Sequence, residues 1–506
     1  MSDSHKLSLM DGAWDRRQFL GVSLAAGSSA AHAASTPMGP QGVSGKLRAG
    51  AATVNITPPL GCSLAGWMYD RIATDVHDDL HVRSLVLDNG RAHIAIAVVD
   101  SCMVPRDILD PAKELIRQHT GIPVTHILIS ATHTHSAPAA SHVFQSIPDP
   151  KYTQWLTVRI ADCVRIAANR LQPARIGWGT GREERLAFNR RYFMKPGTIR
   201  PDPFGGTNDR VQMEPPQGSP NIIKPAGPTD PEVSVLAVES LDGHPICVLG
   251  NYALHYVSAD EAPTTISADY YGAWADSMKR LAGTQANGYP KLVPILSNAC
   301  SGNIDPMNYM TKPVAHTPYG MVQEYADTLA AECYRIWRTI QYHQDVELEA
   351  AVEELELGVR FPSADDASAA RRVLAAAPTK ILNAEPTGGE YKALSQVYAR
   401  ETVIMSETFT QAVKTPIQAL RIGSLGIATF PGEAFVELGL EVKAKSPFRP
   451  TMLIELANDY RGYIPNRGAF DLGGYETWRA KSSYLKEQAA PKMVATVLHL
   501  LGKLAS

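Results

Sequence analysis

The sharpest chemical signal in this chain is Ala131-Thr132-His133-Thr134-His135-Ser136-Ala137-Pro138, two imidazoles one residue apart. They follow His126-Ile127-Leu128-Ile129-Ser130, an apolar run that predicts a strand. Side chains two apart in extended chain share a face, so the strand end would present both rings as metal ligands, or as a ligand and a base. Taken alone the pair is equally well explained by surface or hydrogen-bonded core histidines. No His-Glu-x-x-His motif occurs, so any metal site would be assembled from distant segments. His255, in Asn251-Tyr252-Ala253-Leu254-His255, reads on its own as a buried, hydrogen-bonded ring. Glu433 follows Pro431-Gly432 and on its own reads as a first-turn helix acid. Asp269 could cap the next helix or orient a ligand from behind. Arg190 beside Arg191 reads on its own as a solvated pair, and Tyr460, Tyr463 and Tyr475 as packing aromatics.

The elements that would position these groups alternate between strand and helix. Strands are predicted at 84–87, 92–99, 126–130, 233–239, 245–250, 417–430 and 451–456. Asn89-Gly90 reads as the turn of a hairpin. Helices are predicted near 106–119, 151–171, 270–282, 320–341 and 491–503. Residues 193–230 read as a long functional loop, and 363–415 as an inserted helical pair. No linker after residue 46 divides the chain, so 47–506 reads as one large α/β domain of mixed sheets flanked by helices.

Composition excludes several classes. With 506 residues, 44% hydrophobic, and 48 Lys+Arg against 51 Asp+Glu, the chain is globular and lacks the basic excess of a nucleic-acid binder. No apolar run reaches the ~20 residues of a membrane span. Six scattered cysteines contain no Cys-x-x-Cys pair, so they are neither a zinc ribbon nor a dense disulfide framework. At the N-terminus, Arg16-Arg17, a short apolar region and Ala31-His32-Ala33 are the parts of a twin-arginine export signal. The expectation is a leader over 1–33, a linker over 34–46, and a periplasmic or secreted product.

Read together and in order, the segments resemble the neutral ceramidases, zinc-dependent amidases. Residues 131–138 look like that family's Thr-His-Thr-His-Ser segment, and Ala51 to Pro59 its opening strand and turn. Asn189-Arg190-Arg191, Asn251 to His255, Ile266 to Tyr270, Gly302 to Pro306, Pro431-Gly432-Glu433, Asn458 to Tyr463 and Gly474-Tyr475-Glu476 are similar to its later elements. The resemblance implies a ceramidase-like fold and one catalytic Zn²⁺ held by His133, His255, Glu433 and Tyr463. It further implies that His135 is an acid/base or orienting group, that Tyr475 donates to the oxyanion, and that Arg190 contacts a polar or anionic part of the substrate.

The sequence departs from the family where a serine precedes the loop proline. That position is Asp305, which could act as a general base on water or as a turn acid, with Ser301 a remote substitute. The family's C-terminal immunoglobulin-like domain also has no counterpart in the sequence. The reading is an exported zinc hydrolase that cleaves an amide, N-acyl and ceramide-like, with zinc-activated water. Two alternatives stand beside it: hydrolysis of an ester or glycosidic bond in a carbohydrate-type substrate with Asp305 as acid/base, and a non-catalytic zinc-containing binding protein. A small-molecule or lipid-like substrate is expected, with no nucleic acid. A long apolar channel would favour the acyl amide, and a shallow acidic and aromatic pocket the sugar.

Overall fold

Alternating side chains build the central layer. In His93–Val99, Ile94, Ile96 and Val98 face one way with Leu85, Leu87 and Leu128, while Ala95, Ala97 and Val99 face the other with Val86, Ile127 and Ile129. These strands belong to an eight-stranded sheet. Its order is Val293–Asn298, Pro245–Tyr252, Glu232–Ser240, Gln172–Arg182, Arg48–Asn55, His81–Asp88, His93–Val99 and Ile127–Ala131. Every pairing is antiparallel except at the two edges, where Pro245–Tyr252 runs parallel to Val293–Asn298 and His93–Val99 parallel to Ile127–Ala131. The Asn89-Gly90 hairpin forms as expected: Gly90 takes φ 77° and the Asn89 side chain accepts from the Arg91 and Ala92 amides.

A second sheet is ordered Leu348–Gly358, Ala412–Ile422, Leu425–Thr429 and Thr451–Ile454, its last pair parallel. The two sheets pack face to face through Ile96, Leu128, Leu249 and Ile295 of one and Leu420, Ile427, Met452 and Ile454 of the other. Helices cover the outer faces. Arg106–Thr120 and Pro150–Asn169 cover one end of the large sheet, and Asp269–Leu281 with Gly320–Trp337 the other. Val436–Lys445 and Ala489–Ala505 cover the small sheet. The result is a mixed α/β architecture of sheets flanked by helices, as the sequence indicates.

This computed structural model describes residues 46–257, 262–283, 292–378 and 391–506, and those from Lys46 onward pack as one compact unit. The expected leader, the linker up to residue 45, and residues 379–390 of the helical insertion lie outside the described residues. The helical pair itself is Ala364–Ala375 and Leu394–Thr408; residues 412–415 open the strand Ala412–Ile422 instead. The 193–230 segment carries two short strands, Val211–Met213 and Ile222–Pro225, which pair with Arg191–Met194. Gln172–Arg182 is a strand that alternation does not reveal, because Gly177, Gly179 and Gly181 replace apolar residues along it. Those glycines admit the chain packed on it: a Cβ at Gly177 would lie 2.3 Å from the Gln341 carbonyl, and one at Gly181 2.1 Å from the Glu332 carboxylate. Leu348–Gly358 is an edge strand rich in outward-facing glutamates, which resembles a helix in composition.

The parallel pairs of the two packed sheets all end on the same region. The chain leaves Ile127–Ala131 into His133 and His135, Pro245–Tyr252 into His255, and Val293–Asn298 into Asp305. From the small sheet, Leu425–Thr429 leads to Glu433, and Thr451–Ile454 to Tyr460 and Tyr463. Carboxyl ends of strands are where open α/β sheets bind ligands.

Candidate metal centre

Three imidazoles converge at those strand ends. His133 Nε2 lies 3.1 Å from His255 Nε2 and 3.3 Å from His135 Nε2, and the last two are 3.1 Å apart. The H-x-H pair meets for a reason other than strand alternation. The strand ends at Ala131, and His133 takes a left-handed φ of 78°, held by its amide on the Ser101 carbonyl. A non-glycine residue held there costs about 1–3 kcal/mol. His133 Nδ1 is 2.6 Å from the Cys102 carbonyl, so that nitrogen carries the proton and Nε2 is left facing the cluster.

Oxygen ligands come from the opposite side. Glu433–Ala434 pairs in parallel with Tyr463–Ile464, register Glu433 to Tyr463, which sets the two candidates side by side. The Tyr460 hydroxyl donates to Glu433 Oε1 at 2.8 Å. Glu433 Oε2 is buried without a hydrogen-bond partner among the described residues, 3.4 Å from His133 Nε2. A buried carboxylate oxygen with no hydrogen bond, set beside convergent imidazoles, is a donor set that suits a cation. The 3.1–3.4 Å separations also match the edge of a tetrahedron with metal bonds of about 2.0–2.1 Å. The residues present therefore fit a zinc ion.

Protonation follows from these contacts. Burial opposes a charge on His133, but Cys102 and Glu433 outweigh it and hold its pKa well above the usual imidazole value. Burial, then the charge of His133, push His135 and His255 well below it. Burial raises Glu433, yet His133, Tyr463 and Arg190 bring it below the ordinary carboxylate range. A bound cation would displace the His133 proton.

Arg190 is buried, and its N–H groups are used inside the protein. Nε reaches Glu476 Oε1 at 3.0 Å, Nη2 reaches the Gly302 carbonyl at 2.9 Å and the Tyr463 hydroxyl at 3.0 Å, and Nη1 reaches His255 Nδ1 at 3.2 Å. A guanidinium only donates, so this last contact places the neutral His255 proton on Nε2. Presenting Nε2 to a cation moves that proton to Nδ1 and exchanges the Arg190 bond. Arg190 thus binds protein groups and also lines the cavity beside the centre, where the resemblance implies a substrate contact.

A cavity of about 730 Å³ opens beside the centre. His135, Arg190, His255, Tyr463 and Tyr475 line its inner end, and Trp67, Met68, Tyr69, Tyr391, Leu394 and Val397 give it an apolar wall. Tyr475 meets Tyr463 edge to face at 5.5 Å, and burial raises its pKa, so it is a neutral donor. Asp305 lines the cavity with Glu214 and Tyr309. Its Oδ1 accepts the Met307 amide at 2.7 Å, the turn role. Burial and the neighbouring Glu214 raise its pKa well above the carboxylate range, which favours its protonated form. Neither Ser301 nor Cys300 lines the cavity; the Ser301 hydroxyl donates to Glu455 at 2.6 Å.

Asp269 does not cap its helix through its side chain. It takes φ 52° and accepts from the Thr134 hydroxyl at 2.6 Å, anchoring the His133–His135 segment. Four further residues support the site; Tyr460 and Glu476 lie in segments matched by the resemblance, while Glu214 and Glu455 had no local signal. Tyr460 holds Glu433, Glu476 holds Arg190, Glu214 faces Asp305, and Glu455 Oε2 accepts the Ala434 amide at 2.7 Å.

The family described as neutral/alkaline non-lysosomal ceramidase, N-terminal, matches residues 48–312, more than half of the chain. The chain belongs to this family. Neutral ceramidase B of Dictyostelium discoideum is 23% identical over 248 residues, 47% of this chain and 32% of its own length. This chain therefore spans about a third of that relative. The crystal structure of neutral ceramidase from Pseudomonas aeruginosa superposes with a TM-score of 0.67 at 17% identity, covering 91% of this chain and 74% of that one. A ceramidase complexed with C2 superposes with a TM-score of 0.64 at 16% identity, covering 91% and 75%. At these identities the likeness is one of fold. The family match ends at residue 312, so Glu433, Tyr463 and Tyr475 lie beyond it.

Proposed function

We propose that this chain is a zinc-dependent amide hydrolase acting on N-acyl, ceramide-like substrates, exported through a twin-arginine leader. The observation that carries the zinc reading is the bare, buried Glu433 Oε2 set against three convergent imidazoles. His133, His255, Glu433 and Tyr463 would hold the ion. Bound there, zinc would polarise the scissile carbonyl and bring the pKa of a water into the neutral range. The chain's own groups then divide the remaining work. His135, kept neutral by burial, accepts the proton of the attacking water at Nε2. Tyr475 donates its O–H to the oxygen on which charge develops. Asp305, protonated in the cavity, supplies a proton to the departing nitrogen. Arg190 keeps the Tyr463 phenol in place. Trp67, Met68, Leu394 and Val397 receive the acyl chain and exclude water.

The family supports an amide over an ester or glycosidic bond, and the apolar cavity wall agrees with it. Among the described residues no helix is long and apolar enough to cross a membrane. The test is turnover of N-acyl, O-acyl and glycoside panels by the zinc-loaded protein, with and without a chelator. Amide turnover that chelation abolishes and zinc restores is expected; glycoside turnover alone would overturn the reading. Export is tested by fusing residues 1–40 to a reporter and replacing Arg16 and Arg17 by lysine, which should retain the reporter in the cytoplasm.

A further inference from the structure

We propose that Glu476 is the positioning counter-ion of the centre: it aims Arg190 at His255 and Tyr463 and offsets positive charge that would otherwise repel a cation. The proposal rests on the zinc reading above. Glu476 sits on the single turn Tyr475–Thr477 and is fully buried, whereas Tyr475 beside it lines the cavity. The turn therefore sends one side chain toward substrate and the next behind the centre. Glu476 Oε1 takes the Arg190 Nε proton at 3.0 Å, and Oε2 lies 3.3 Å from Arg191 Nε. Oε2 has no hydrogen-bond partner among the described residues, so the hydrogen bond Glu476 makes here goes to Arg190.

A guanidinium is a rigid planar fork, so fixing its Nε edge fixes both Nη groups. Those groups are the ones on His255 Nδ1, Gly302 O and Tyr463 Oη. When a cation takes His255 Nε2 and the Arg190–His255 bond exchanges, Glu476 and Gly302 keep the guanidinium from turning into the centre. Two adjacent buried arginines share this carboxylate within ion-pair distance, and Arg190 also has the more exposed Glu214 at 3.7 Å, so loss of Glu476 leaves excess buried positive charge beside the ligands.

The test uses metal-free full-length protein and measures zinc affinity by competition with a chromophoric chelator, alongside the thermal midpoint. Glu476→Gln, which keeps size and an acceptor but loses the charge, is expected to weaken zinc binding about 10–100-fold. Its KM should change less than about threefold while kcat falls, because Glu476 lines no part of the cavity. Glu476→Asp, which restores the charge, should recover part of the affinity. Adding Arg191→Met to Glu476→Gln removes one positive charge and should bring affinity back toward wild type, an outcome a merely structural role would not give. A folded Glu476→Gln protein with wild-type zinc affinity would overturn the proposal, as would failure of both Glu476→Asp and the double variant to recover any. If Glu476→Gln does not fold, the double variant against wild type decides it: affinity within about threefold supports the charge balance, and a loss of tenfold or more contradicts it. Wild-type protein that binds no zinc would sink the parent reading instead.

Discussion

The centre and the cavity wall at Asp305 are both buried and both rich in ionisable groups, yet they are built differently. In the centre, His133 Nδ1 is tied to Cys102, Glu433 Oε1 to Tyr460 and the Tyr463 hydroxyl to Arg190, while His133 Nε2 and Glu433 Oε2 face one point. At the wall, Asp305 and Glu214 face each other across Arg190 in the open cavity, with the protonated form of Asp305 favoured. The first arrangement suits a fixed ion, the second a proton that moves or a donor for substrate. Under the proposed function, holding the ion and moving a proton thereby fall to different side chains, and each can be broken separately.

The largest effect is expected from the centre. His133→Ala should lower amide turnover by ~10³-fold or more, the equivalent of several kcal/mol of lost charge stabilisation. Steady-state kinetics with zinc in excess checks it. Tyr460→Phe removes the donor on Glu433 Oε1 and should weaken zinc affinity by about 10–100-fold while leaving the fold intact, read by chelator competition.

The wall should respond through pH and preference. Because the Asp305 pKa is raised, its protonated form persists above the ordinary carboxylate range and is lost as pH rises through that raised value. Activity that depends on it therefore falls on the alkaline side. Asp305→Asn should lower kcat by roughly 10-fold or more, the low end of general-acid contributions, and flatten that alkaline limb in a pH–rate profile. The smallest effect lies outside both regions. Lys113 is buried on Asn458 Oδ1 at 2.7 Å, and burial lowers its pKa to about 8. The unfolded chain then binds the extra proton between about pH 8 and the free-lysine value of 10.5, so this group's cost to stability is full below pH 8 and relieved as pH rises. Lys113→Met should abolish that upward slope, about 3 kcal/mol at most, in denaturant titrations across the window.

How far the sequence carried varies between these regions. His133, His135 and His255 could be found because apolar strands end just before them. Glu433 and Tyr463 could be nominated only by resemblance, since what joins them is a parallel two-residue bridge between segments thirty residues apart. The converging imidazoles were expected from strand alternation, whereas the left-handed turn at His133 does the work. The roles of Glu476 and Glu455 were invisible because a buried counter-ion has no periodicity: its meaning lies in what folds over it. The strand Gln172–Arg182 was hidden for a related reason, its glycines being chosen by the chain packed against it.

The most direct test of the central claim is the zinc content of the purified chain and of Glu433→Gln, measured with a chelator titration of each. The account predicts one tightly held zinc ion per wild-type chain, with affinity lost at least tenfold in the variant and amide turnover lost with it. Wild-type protein that takes up no zinc, or amide turnover untouched by complete metal removal, would contradict it.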